Sequence, residues 1–151
     1  MKQGYITIRD RHLTADEESD YGEIKTRCRV SRQKNALLIE YKEILDGEHD
    51  CSCALTISDG KITMIRNGAF CTTMIFEERQ RHACAYHTPF GEMMLTVYTN
   101  AVFIDIDEDG GQIHLAYTLD SGGGLLSENE LIITVEITEE DKYVSIGKTD
   151  S

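Results

Sequence analysis

The run Asp105-Ile106-Asp107-Glu108-Asp109-Gly110 sets oxygen-bearing side chains at alternate positions and a glycine at the sixth, which is how a calcium-binding EF-hand loop begins. Such a loop needs a bidentate carboxylate at its twelfth position, where this chain has Ala116, and helices on both sides, where it has strand-like alternation. The run reads as a polar hairpin end closed by Gly110-Gly111. Cys51-Ser52-Cys53 brings two thiols to one strand face, with side chains about 7 Å apart. Structural zinc prefers its paired cysteines on a turn and needs four ligands, and no second pair exists. His82 and Cys84 share a face, with His87 close by, but a nucleophile and its base must lie within hydrogen-bond reach, which strand spacing denies. Phosphate loops, nucleophile elbows and His-Glu-x-x-His helices are missing from the sequence. The expectation is therefore no metal, no cofactor and no catalytic residue.

Binding offers more. Arg66 alternates with Ile62 and Met64, Tyr86 with Cys84 and Thr88, and Tyr117 with Ile113, Leu115 and Leu119. Facing inward in a barrel, a guanidinium and two phenols would line an apolar cavity and hold an anionic or polar head on an apolar ligand. Arg66, Tyr86, Thr88 and Tyr117 are the candidate ligand-binding residues. In the competing reading Arg66 faces out or pairs internally with a carboxylate, and the tyrosines only pack.

Positioning these side chains requires strands. Asp59-Gly60 and Asn67-Gly68, each flanked by alternating apolar and polar residues, are tight-turn dipeptides that tolerate positive φ and mark two hairpins. Thr88-Pro89-Phe90-Gly91 supplies a further reversal with the one proline of the chain. Period-2 alternation runs through ten or eleven segments, among them Glu23 to Ser31, Ala36 to Ile44, Lys61 to Arg66, Met93 to Val97, Val102 to Ile106 and Leu131 to Thr138. Asp46-Gly47 divides Ala36 to Ile44 from a further segment, Cys51 to Ser58, and Thr14-Ala15-Asp16-Glu17 could cap at most one helical turn within a long hairpin loop. Open strand edges invite aggregation, and a meander of neighbouring hairpins removes them by closing on itself. The expected fold is all-β, a single antiparallel meander β-barrel of about 8–10 strands. It is expected to span residues 1–141 as one domain, with 142–151 a loose tail.

The 151 residues suit one domain, and no apolar run approaches the roughly 20 residues that span a bilayer. A net charge of −12 repels phosphate backbones and anionic lipid, so neither nucleic acid nor a membrane is expected as partner. The dense basic stretch Lys25 to Lys34 reads as a solvated sheet face. Five cysteines, an odd number, without any Asn-x-Ser/Thr acceptor, and a start lacking the apolar stretch of a secretory signal point to reduced thiols and a cytoplasmic location.

Arg66-Asn67-Gly68, then Phe76, then Tyr86-His87-Thr88-Pro89-Phe90-Gly91 followed by Thr99, and finally Gly111-Gln112-Ile113-His114-Leu115-Ala116-Tyr117 resemble the recurring pattern of the YwiB-like family, small bacterial proteins classed as a domain of unknown function. The resemblance covers Lys61 to Ile137 and implies a calycin-like, lipocalin-resembling barrel; it carries over no catalytic or binding residue. The functional expectation is a barrel that binds a small, largely apolar or amphipathic molecule inside. The rival is an interaction module or homodimer working through an outer sheet face, for which Ala36 to Ile44, apolar on both faces, would speak.

Overall fold

In the computed structural model, which describes residues 1–14, 19–45 and 49–140, Asp59 and Gly60 turn the chain with φ of 51° and 74°. Both central residues of this two-residue hairpin thus lie in the left-handed region, as a turn matched to strand twist requires. Ten antiparallel strands follow one another: β1 (Lys2–Thr14), β2 (Ser19–Gln33), β3 (Ala36–Leu45), β4 (His49–Ser58), β5 (Lys61–Gly68), β6 (Thr72–Phe76), β7 (Arg81–Thr88), β8 (Gly91–Asp107), β9 (Gly110–Ser121) and β10 (Gly124–Glu140). The spatial order β6-β5-β4-β3-β2-β1-β10-β9-β8-β7 is a meander in which first and last strands pair along their length, Ile6 opposite Val135 and His12 opposite Asn129. The fold expected from the sequence, all-β with hairpin-connected antiparallel strands, is the fold observed. Asp46-Gly47, most of the stretch Thr14 to Glu17 and the tail from residue 142 lie outside the described residues.

Closure is incomplete. β6 and β7 meet through one bridge, in which Cys71 and His87 exchange backbone hydrogen bonds of 2.9 Å. β2 and β3 pair from Cys28↔Tyr41 to Gln33↔Ala36, and among the described residues no ladder pair joins 19–27 to 42–45. The barrel wall thus lacks ladder pairing at two places, along β6 and β7 beyond that bridge and between 19–27 and 42–45.

Two expectations are corrected. Asn67 and Gly68 do not form the tight turn: both stay paired to β4, opposite Ser52 and Cys51, and the pairing of β5 with β6 begins one residue earlier, at Arg66↔Thr72, and runs to Ile62↔Phe76. The alternating runs Met93 to Val97 and Val102 to Ile106 are one strand rather than two. A bulge between Thr99 and Ala101 inserts Asn100, which switches the inward set from 95, 97 and 99 to 102, 104 and 106.

Inward alternation packs one half of the barrel solid. Ile6, Val30, Ile39, Leu55, Ile62, Val97, Ile113 and Ile133 are almost wholly buried there. The basic stretch lies on the outside, with Lys25 and Arg27 over the Tyr5 ring and Arg32 3.6 Å from Glu108.

Candidate functional site

Continuing the inward positions of each strand toward the other end replaces aliphatic residues with polar ones. On β1, Ile6 and Ile8 are followed by Asp10 and His12; on β3, Leu37 and Ile39 by Tyr41 and Glu43; on β5, Ile62 and Met64 by Arg66. These groups line a cavity of about 400 Å³, with Ile24, Met74, Leu95, Leu119 and Leu131 among its apolar walls. Hairpin ends β7–β8 and β9–β10 rim it, as do the ends of β1 to β6.

Register sets two rows of polar groups at this end, of which Tyr41, Arg66, Thr72, Tyr117 and His12 line the cavity while Cys53, Thr99 and Asn129 stand behind it. Tyr41, Cys53, Arg66 and Thr72 stand directly opposite one another on β3 to β6. Across the cavity, Thr99, Tyr117, Asn129 and His12 do the same on β8, β9, β10 and β1. In the first row a single oxygen of Glu43 accepts Arg66 Nε at 2.9 Å, Arg66 Nη2 at 2.7 Å and the Cys53 thiol at 3.2 Å. Burial would lower the guanidinium's pKa, but the adjoining Glu43 carboxylate outweighs it and holds Arg66 firmly protonated. Desolvation raises the Tyr41 phenol as well, helped by Cys53 and Glu43.

The second row centres on His12. Asn129 donates its amide to Ser127 Oγ at 3.0 Å, so its carbonyl oxygen is the acceptor for His12 Nδ1. That leaves Nε2 toward Asp10 at 3.6 Å, beyond hydrogen-bond length. Asp10 lies over Gly22, its partner on β2, where a Cβ would fall 2.5 Å from the carboxylate oxygen. Burial, then the Asp10 charge, raises the pKa of Tyr117. The hydroxyl of Thr99 is buried without a partner.

Of the four residues expected from the sequence, Arg66, Tyr86 and Tyr117 line this cavity. Thr88 does not: its hydroxyl accepts the backbone N–H of Phe90 at 3.0 Å and donates to the carbonyl of Gly91 at 2.9 Å, fixing the β7–β8 turn. Asp10, His12, Tyr41, Glu43, Cys53 and Asn129 were not foreseen, although stepping by two from each apolar run finds all six.

The thiols are placed against nucleophilic chemistry. Cys53 is pushed up to about 12 by burial and by Glu43, and Cys28 to about 11 by burial. Burial raises Cys84 too, against the Thr72 hydroxyl, which lies 3.9 Å away. His82 meets Glu77 at 3.1 Å and His87 meets Glu92 at 2.8 Å. Among the described residues no three metal-ligating side chains gather, and in the Asp105–Gly110 run Asp107 accepts the N–H of Asp109 at 2.8 Å. A thiol reagent at pH 8 should therefore modify half-buried Cys71 first and spare Cys28 and Cys53 until the chain unfolds. Both buried thiols ionise near 9.0 once exposed but remain protonated in the fold, so stability should fall as pH rises from 9 to 12, read as a declining urea midpoint.

The model of a family described as a domain of unknown function, DUF1934, matches residues 6–133. The chain belongs to this family. A relative in Bacillus subtilis (strain 168), the uncharacterized beta-barrel protein YwiB, is 30% identical over 135 residues, covering 87% of this chain and 92% of that protein. The crystal structure of the ywiB protein from Bacillus subtilis superposes with a TM-score of 0.78 at 23% identity, over 91% of this chain and 94% of that one. That likeness extends the DUF1934 fold to nearly the whole chain and assigns no activity to the cavity.

Proposed function

We propose that this DUF1934 protein is a non-enzymatic carrier or sensor that holds a small, largely apolar molecule in the open half of its barrel. One observation carries the reading: a barrel packed solid at one end keeps about 400 Å³ free at the other, inside the roughly 300–1,000 Å³ range of small-molecule sites. Its lining has the composition of such sites, aliphatic and aromatic walls with few, oriented polar groups. The two gaps in strand pairing beside β2 and β6 give a ligand access that a sealed barrel would deny. A lipocalin-like reading of the fold expects an interior site of this kind.

Exposed apolar side chains at the same end, Phe90 at 84% and Met94 at 59%, favour a second reading, a homodimer joined at its mouths. Native mass spectrometry of the full chain with the neutral apolar dye N-phenyl-1-naphthylamine separates the two. The expected particle is a monomer carrying one dye, and Met74→Trp, which fills the cavity, should remove the dye while leaving the circular dichroism of a β-protein. Dye uptake unchanged by Met74→Trp would overturn the cavity reading, and a dye-free dimer would favour the second.

A further inference from the structure

The sequence suggested that Arg66 would receive an anionic head. In the structure its guanidinium is already matched by Glu43, and it is the one arginine or lysine among the described lining residues. Asp10 has no such match. It faces inward, has no hydrogen bond from His12, and its other lining neighbours bring carboxylates or phenols rather than cations; Glu23 at the rim is occupied by Arg9 at 3.1 Å. With Nδ1 directed at Asn129, His12 leaves Nε2 3.6 Å from the Asp10 carboxyl, too far for a hydrogen bond between them, so both groups remain open to a ligand atom. A donor satisfies the carboxylate, and one carrying positive charge does so best. Tyr41, Tyr86 and Tyr117 line the same space, and aromatic faces attract an ammonium group.

We propose that the cavity is selective for a cationic amphiphile: a protonated primary amine on an apolar tail, its N–H groups taken by Asp10 and His12 and its tail lying along Ile24, Met74 and Leu95. This rests on the reading of the cavity as a ligand site and adds the sign of the ligand's charge. It also reverses the role the sequence suggested for Arg66, which here shapes the wall through Glu43 instead of meeting the ligand.

Three probes with one tail test it: octylamine, octanol and octanoate, each below its micelle concentration, titrated into the full chain at pH 7 in about 150 mM salt, where surface attraction is screened beyond about 8 Å. Octylamine should bind most tightly, about tenfold or more over octanoate, with octanol between them. Asp10→Asn should collapse the amine's advantage over octanol. Glu108→Gln, at the opposite end of the barrel, should leave it intact and so controls for the overall charge of −12. Octanoate binding as tightly as octylamine, or an amine preference lost equally in Glu108→Gln, would overturn the proposal. Octanol binding without any charge preference would overturn it while sparing the cavity reading, and failure of all three probes would remove both. The probe series on the unaltered chain decides the matter even if Asp10→Asn does not fold.

Discussion

Glu43→Ala should lower folding stability by about 3–5 kcal/mol, the cost of leaving one member of a buried ion pair without the other. The Arg66 side chain is 19% exposed and that of Glu43 9%, so water replaces the lost carboxylate poorly. Cys53 loses its acceptor in the same step. What the experiment measures is the penalty for an uncompensated guanidinium and not the worth of the pair, since a buried pair repays much of its own desolvation and little more. The double variant Glu43→Leu with Arg66→Met should accordingly lose less than Glu43→Ala alone, even though it removes more polar atoms. Urea unfolding reads both values, and with the singles Glu43→Leu and Arg66→Met completing the cycle, a coupling energy near zero would mean that solvent reaches the cluster. The pair also explains why the cavity does not present its guanidinium to a ligand, so octanoate binding should gain in Glu43→Gln, where Arg66 keeps a neutral partner.

The strands and the inward faces could be read along the chain because both are local. Asp59-Gly60 fixes its own turn, and Ile6, Ile8 or Leu131, Ile133, Val135 declare a buried face within five residues. The cavity's chemistry is not local. Glu43 stands 23 residues before Arg66, and only two successive ladders, β3 on β4 and β4 on β5, decide that they meet. His12 and Asn129 are 117 residues apart and meet because the first and last strands pair. Asn100 misled for a related reason: a one-residue bulge changes which face alternation points to, so one long strand looks like two. Asn67-Gly68 carries the signal of a tight turn, but its backbone groups are taken by β4 opposite Cys51 and Ser52, and tertiary pairing overrides the local preference. Thr88 shows the converse, a residue on a plausible face whose hydroxyl is consumed by the turn beside it.

Phe76→Ala should be as damaging as loss of Glu43, at about 3–5 kcal/mol, through an entirely apolar mechanism. Phe76 is fully buried at the last position of β6, opposite Ile62 on β5, and its ring meets that of Tyr117 edge-on with centroids 4.9 Å apart. Tyr117 lines the cavity while Phe76 does not, which places the phenylalanine one layer behind, where the solid half of the barrel supports the open half. Truncation removes both the transfer free energy of the ring and its contacts with neighbours, and a close-packed interior refills such a space only in part. Because β6 is the shortest strand and meets β7 through a single bridge, the loss falls where the barrel wall has least hydrogen bonding to hold it. An apolar void of this kind stays dry and accepts a small aromatic, so benzene should restore part of the melting temperature of Phe76→Ala and do nothing for the unaltered chain. Phe76→Leu, which keeps most of the volume, should cost less than half as much; equal losses from the two substitutions would show that the ring's stacking on Tyr117, and not the filling of space, is what this position contributes.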